Sequence, residues 1–163
     1  MSTLIVLRHA KSSWETSAPD FRRPLAERGV RDGVAAGRVL AEYPLDLVLC
    51  SGALRARQTW ERAVVGGARA DDVRFEDDIY YGGTRAVLGL LRELDDDVAT
   101  AAVIGHEPTL STLISSLAAP SQLVEAVEDR FPTAALAVLD VPGAWGELAE
   151  GAAELVRFEV PRA

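Results

Sequence analysis

The feature that most constrains this chain is the repeated pairing of a bare apolar run with a helical pattern. Leu4-Ile5-Val6-Leu7 is an uninterrupted apolar run of strand length, and Leu45 to Cys50 and Ala101 to Ile104 read the same way. A strand with one face in water alternates apolar with polar residues, so runs without alternation belong in a sheet covered on both faces. Helical stretches lie between them. One runs from Pro24, near its first position, to about Tyr43, with Val30, Val34 and Ala41 expected on the inner side and Pro44 ending it. Another runs from about Ala53 to Val65, before Gly66-Gly67. A third is capped by Thr84 and carries an inner stripe of Val87, Leu88 and Leu91 through Leu94, and a fourth spans about Pro108 to Ala118. Val73 to Glu76, Ala135 to Val141 and Leu155 to Val160 predict further strands. The last two are joined through Pro142-Gly143 without a helix between them, so they are expected to pair antiparallel at an edge. Residues 121–130 carry no assignable pattern. Together these predict an α/β three-layer sandwich, with helices on both faces of a mostly parallel, mixed central sheet.

Composition narrows the function classes. A length of 163 residues without repeat or linker fits a single domain, 1–163. Seventeen basic against twenty-five acidic residues give a net charge of −8, which argues against a protein that coats nucleic acid or anionic membrane. No apolar run approaches the roughly 18 residues of a membrane span. Met1-Ser2-Thr3 leads straight into apolar residues, unlike a signal peptide. The single cysteine, Cys50, excludes an internal disulfide and a Cys-based zinc site. A cytoplasmic protein is expected. No heptad or broad apolar stripe speaks to its oligomeric state.

The polar residues at the strand exits share one character. The first strand ends in Arg8-His9-Ala10-Lys11-Ser12-Ser13, the second in Ser51 with Arg55 one helical turn on, and the fourth in Gly105-His106-Glu107-Pro108. Ligands of open α/β sheets sit beyond the carboxyl ends of strands. The only two histidines, His9 and His106, both lie there although 97 positions apart. Singly, each is a weak signal, since strand-end histidines are more often just solvated. Their conjunction with two arginines points to phosphoryl transfer. A neutral imidazole can attack phosphorus and form a hydrolysable phosphoramidate. The charge on the moving phosphoryl group calls for cations, and a planar guanidinium binds two oxygens at once. The nucleophile must keep one ring nitrogen free while the other donates a hydrogen bond.

Leu7-Arg8-His9-Ala10-Lys11-Ser12 resembles the first signature block of the histidine phosphatase superfamily, also called phosphoglycerate mutase-like. Ser51-Gly52-Ala53-Leu54-Arg55-Ala56-Arg57-Gln58-Thr59 resembles its second block, and Ile104-Gly105-His106-Glu107-Pro108 its third. Arg8 through Trp14, Arg23-Pro24-Leu25 with Gly29 after it, and Phe131-Pro132-Thr133 are similar to the small SixA-type phosphohistidine phosphatases. The resemblance implies a phosphoglycerate mutase-like fold and a metal-independent phosphatase without organic cofactor. His9 would be the phosphorylated nucleophile, with Arg8, Arg55 and His106 as the phosphate pocket. It also implies an acid that protonates the leaving group, for which Asp78 is the nearest match and Asp20 a second; water is the alternative. A phosphohistidine-bearing protein is the implied substrate, a small phosphate ester the alternative.

Other readings compete. Cys50 to Arg55 suggests a cysteine-dependent phosphatase, but only four residues intervene where that loop needs five. No helical metal-binding histidine pair appears, and arginines beside the histidines would repel a cation. A non-catalytic phosphate sensor would keep Arg8 and Arg55 but could dispense with a nucleophile. Trp14 beside the site and Trp145 in a late loop are candidates for partner contact. Arg8, Lys11, Arg22, Arg23, Arg55 and Arg57 would offset the overall negative charge locally.

Overall fold

The computed structural model describes residues 1–163. Each apolar run forms a strand: β1 (Ser2–Arg8), β2 (Leu45–Ser51), β3 (Ala70–Glu76), β4 (Thr100–Gly105), β5 (Leu136–Val141) and β6 (Glu154–Glu159). They make one sheet in the order β3-β2-β4-β1-β5-β6. The first four in that order are mutually parallel, while β5 runs antiparallel to both β1 and β6. The antiparallel edge pair and the mixed sheet are therefore as the sequence predicts.

Alternation along each strand distributes the apolar runs between two layers. Leu4, Val6, Leu47, Leu49, Ala101 and Val103 face a layer built from α4 (Gly83–Arg92), α5 (Thr109–Leu117) and α6 (Gln122–Asp129). Ile5, Leu7, Val48, Cys50, Ala102 and Ile104 face α1 (Glu27–Leu40) and α2 (Leu54–Val65). Each fully buried branched side chain contributes on the order of 1.5–3 kcal/mol, so a run buried on both faces tolerates no polar residue in the middle.

Several sequence expectations shift. Thr84 is not a cap: it lies inside α4 and donates its hydroxyl to the Thr109 carbonyl at 3.1 Å. α1 starts at Glu27 rather than Pro24, because Leu25 stays extended, bridged to Ser12, and gives its N–H to Gln58 Oε1 at 2.8 Å. Its buried side is not Val30, Val34 and Ala41: Val30 and Ala41 are exposed, and Gly29, Gly33, Ala36, Gly37 and Leu40 are buried. The reason is close approach to α2, where a Cβ on Gly37 would run into the Ala63 carbonyl and one on Gly33 would sit 2.7 Å from Arg62 Cβ. Size-based periodicity misses a contact built from the smallest residues. The unassigned stretch forms α6, started by Ser121, whose Oγ accepts the Val124 N–H at 3.2 Å. A short helix, α3 (Asp78–Tyr81), follows β3. Trp145 is 1% exposed and donates its indole N–H to the Val98 carbonyl, so it makes no partner surface. No helix is long and apolar enough to cross a membrane.

Candidate active site

The register of the sheet brings three strand exits side by side: Arg8 pairs with Gly105 across β1 and β4, and Cys50 with Ile104 across β2 and β4. The His9 and His106 rings, far apart in sequence, come to 5.2 Å between centroids. A cavity of about 230 Å³ opens here. Arg8, His9, Arg55 and His106 line it together, joined by Lys11, Ser12, Trp14, Arg23, Glu107 and Thr133.

The exit of β1 is held from two sides. Ala10 N–H donates to Thr59 Oγ1 at 2.9 Å, and the Thr59 hydroxyl donates to the Arg55 carbonyl at 2.7 Å, so one side chain ties the histidine loop to the first turn of α2. On the other side Ala134, in the left-handed region with φ 62°, gives its N–H to both the Arg8 and His9 carbonyls at 3.1 Å. Gln58 and Thr59 of the second block are thus positioning residues. A Cβ on Gly52 would meet the Asp77 carboxylate, the end of an exposed side chain that can turn aside.

His9 is 7% exposed, and its Nδ1–H donates to the Ala10 carbonyl at 2.7 Å, which leaves Nε2 without a protein partner. Burial pushes its pKa down to about 3; the Ala10 hydrogen bond opposes this, while His106, Arg55 and Arg8 add to it. Burial likewise lowers His106 to about 4, with Arg55 next among the causes. Both rings are neutral at physiological pH. His106 Nε2 lies 2.8 Å from Ser51 Oγ, which itself accepts the Ala53 N–H at 3.2 Å. Arg8 donates to the Phe131 carbonyl at 3.1 Å. Burial pulls its pKa below the usual arginine range, with Glu107 opposing and Arg55 reinforcing. Arg8 Nε and His106 Nδ1 are both buried without a partner.

Arg55 is braced by Asp20: Nη1 donates to the Asp20 carbonyl at 2.7 Å and Nη2 to Oδ2 at 3.0 Å. The Tyr80 hydroxyl donates to the same Oδ2 at 2.6 Å, and its ring meets the His106 ring in a T-shaped contact. The Tyr80 hydrogen bond first, then Arg23 and Arg55, hold Asp20 far below the usual carboxylate range, and the same bond raises Tyr80. An ionised Asp20 has no proton to give, so it is the partner of Arg55 rather than an acid.

Asp78 is not brought to the cavity. It is exposed at the start of α3, and its carboxylate makes no hydrogen bond or ion pair. From that segment it is Tyr80 that reaches the site. Tyr80 and the Asp20–Arg55 pair escape sequence reasoning because they join residues 60 and 35 positions apart. Cys50 is fully buried in the sheet, and burial pushes its thiol up to about 12, unlike a reactive thiolate. No three His, Cys, Asp or Glu side chains gather as a metal site needs.

Residues 4–78 match the family model of the histidine phosphatase superfamily (branch 1). The chain is 40% identical to the uncharacterized protein Rv1276c of Mycobacterium tuberculosis, over 96% of this chain and 100% of that one. The structure of SixA from Nakamurella multipartitia superposes with a TM-score of 0.86 at 34% identity, covering 99% of this chain and 97% of the other. The protein histidine phosphatase SixA complexed with tungstate shares the fold at a TM-score of 0.74 and 20% identity, over 98% of this chain and 97% of its own.

Proposed function

Because the chain belongs to the histidine phosphatase superfamily, we propose that it is a metal-independent phosphatase that works through a phosphorylated His9. The observation that carries this reading is the His9 ring, neutral, with Nδ1 committed to the Ala10 carbonyl and Nε2 free at a cavity lined by Arg8, Arg55 and His106.

The substrate phosphate docks against Arg8, Arg55 and His106. The unpaired buried Nε–H of Arg8 costs roughly 1–3 kcal/mol until a partner arrives, and a phosphate oxygen is such a partner. His9 Nε2 then bonds to phosphorus while the bond from phosphorus to the leaving atom breaks. The leaving group takes that electron pair and a proton from water. In the second half a water oxygen bonds to phosphorus, the P–Nε2 bond breaks, its pair returns to His9, and the water's proton passes to solvent. The net change is hydrolysis of one bond to phosphorus by one water.

Phosphohistidine on another protein is the proposed substrate. Its imidazole leaving group does not depend on a strongly placed acid, and neither Asp78 nor Asp20 offers one. The whole of residues 1–163 would serve as one cytoplasmic catalytic domain. The test is phosphate release from a phosphohistidine-bearing protein and from an aryl phosphate, with chelator present, by wild type and His9→Ala. Release that survives chelator and disappears in the variant is expected, and the substrate ratio separates the protein from a small ester. Near-normal turnover by His9→Ala would refute the mechanism; phosphate binding without turnover by wild type would make the chain a sensor.

A further inference from the structure

Trp14 is accounted for neither by the phosphate chemistry nor by packing. It is 73% exposed yet lines the cavity beside His9 and Arg55, whereas Trp60 and Trp145 are buried. Its position is fixed from one side. The Arg23 guanidinium carbon lies 3.3 Å from the indole centroid. Arg23 itself is 6% exposed and immobilised, donating to the Ser13 carbonyl at 3.0 Å, Asp20 Oδ1 at 3.0 Å and Ser12 Oγ at 2.6 Å. One face of the indole therefore rests on a planar buried cation, and the other is bare at the mouth of the cavity. A cation on one face draws electron density from the ring, which favours an electron-rich ring on the other.

We infer that the bare face of Trp14 is a stacking platform for a flat leaving group, an imidazole or an aryl ring, while the phosphate sits against Arg8, Arg55 and His106. This rests on the phosphatase reading above and adds what distinguishes one leaving group from another. Stacking of one ring on an aromatic side chain corresponds to about tenfold in affinity. Trp14 is then a specificity-determining residue, selecting phosphohistidine and aryl phosphates over saturated phosphate esters.

The experiment compares kcat/KM for N-phosphoimidazole, phenyl phosphate and ethyl phosphate in wild type, Trp14→Ala and Trp14→Phe. Trp14→Ala is expected to lower the ratio of either planar substrate to ethyl phosphate by about tenfold, and Trp14→Phe to restore most of it. An equal loss on all three substrates would mean that Trp14 only covers Arg23, and would overturn the inference. If wild type hydrolyses none of them, the function proposed above fails, and indole emission decides the platform by itself. Stronger quenching by phenyl phosphate than by equimolar inorganic phosphate, absent in Trp14→Phe, upholds it; equal quenching overturns it.

Discussion

His9→Asn should flatten the acid side of the protein's pH–stability curve. In the folded chain burial holds the His9 pKa at about 3, while an unfolded histidine titrates near 6.5. Between those values the unfolded chain takes up a proton that the folded chain refuses. Stability is thus complete above about pH 6.5 and is lost progressively as pH falls toward 3, at about 1.4 kcal/mol per pH unit. Moving from pH 7.5 to 5.0 crosses about 1.5 units of that window, a loss of about 2 kcal/mol from this ring alone. Asparagine keeps an N–H for the Ala10 carbonyl but does not ionise. His106, also depressed, titrates in the same direction and remains in the variant. Between pH 7.5 and 5.0 Asp20 is ionised in the folded chain and essentially so in the unfolded one, so it does not interfere. Urea unfolding at the two pH values should therefore show a loss smaller by about 2 kcal/mol in His9→Asn than in wild type. The same loss in both proteins would refute the idea that His9 is buried neutral.

The same depressed pKa bears on activity: with substrate ionisation divided out, kcat/KM should hold between pH 7 and 5, where a histidine of ordinary pKa would lose about thirtyfold. Arg55→Lys should cut kcat/KM by about a hundredfold, since an ammonium cannot engage Asp20 and phosphate together as a planar fork does; a loss under threefold in steady-state kinetics would contradict this. Asp20→Asn keeps the backbone carbonyl on Arg55 but removes a negative charge beside the site, so inhibition by inorganic phosphate should tighten by about threefold; weaker inhibition would mean that Asp20 mainly positions Arg55. Cys50→Ser should retain turnover within about twofold, because the buried thiol is neutral and outside the cavity; abolished turnover in a folded variant would revive cysteine chemistry.

The sheet and the histidine pair were legible in the sequence because both depend on short-range signals. A run such as Leu4 to Leu7 has one comfortable environment, and a histidine just past it has one direction to point. The rest depends on where loops land. Asp20 reads as a loop acid, and only the tertiary fold reveals that its carboxylate lies 3.0 Å from Arg55 and 2.6 Å from the Tyr80 hydroxyl. Asp78 fits a loose pattern, but the turn of α3 sends Tyr80 to the site instead. The inner face of α1 was misjudged for the opposite reason, because glycine carries no apolar signal although the helix contact depends on its absence of side chain. Ser121 before Val124 was a readable cap, but the helix it starts buries only Val124 and Val127, too little for periodicity to register.

The Arg23 tie also bears on the speed of recognition. Through Ser12 Oγ it closes a loop over residues eleven positions apart, and the same guanidinium holds Asp20, which braces Arg55. The entropy of closing such a loop is lost once, on folding, and not again at each encounter with substrate. A rim ordered in advance has nothing to rearrange when a phosphate arrives. Capture should then proceed at the pace of diffusion and orientation, and loosening Arg23 should show first as slower association, before the bound state itself weakens.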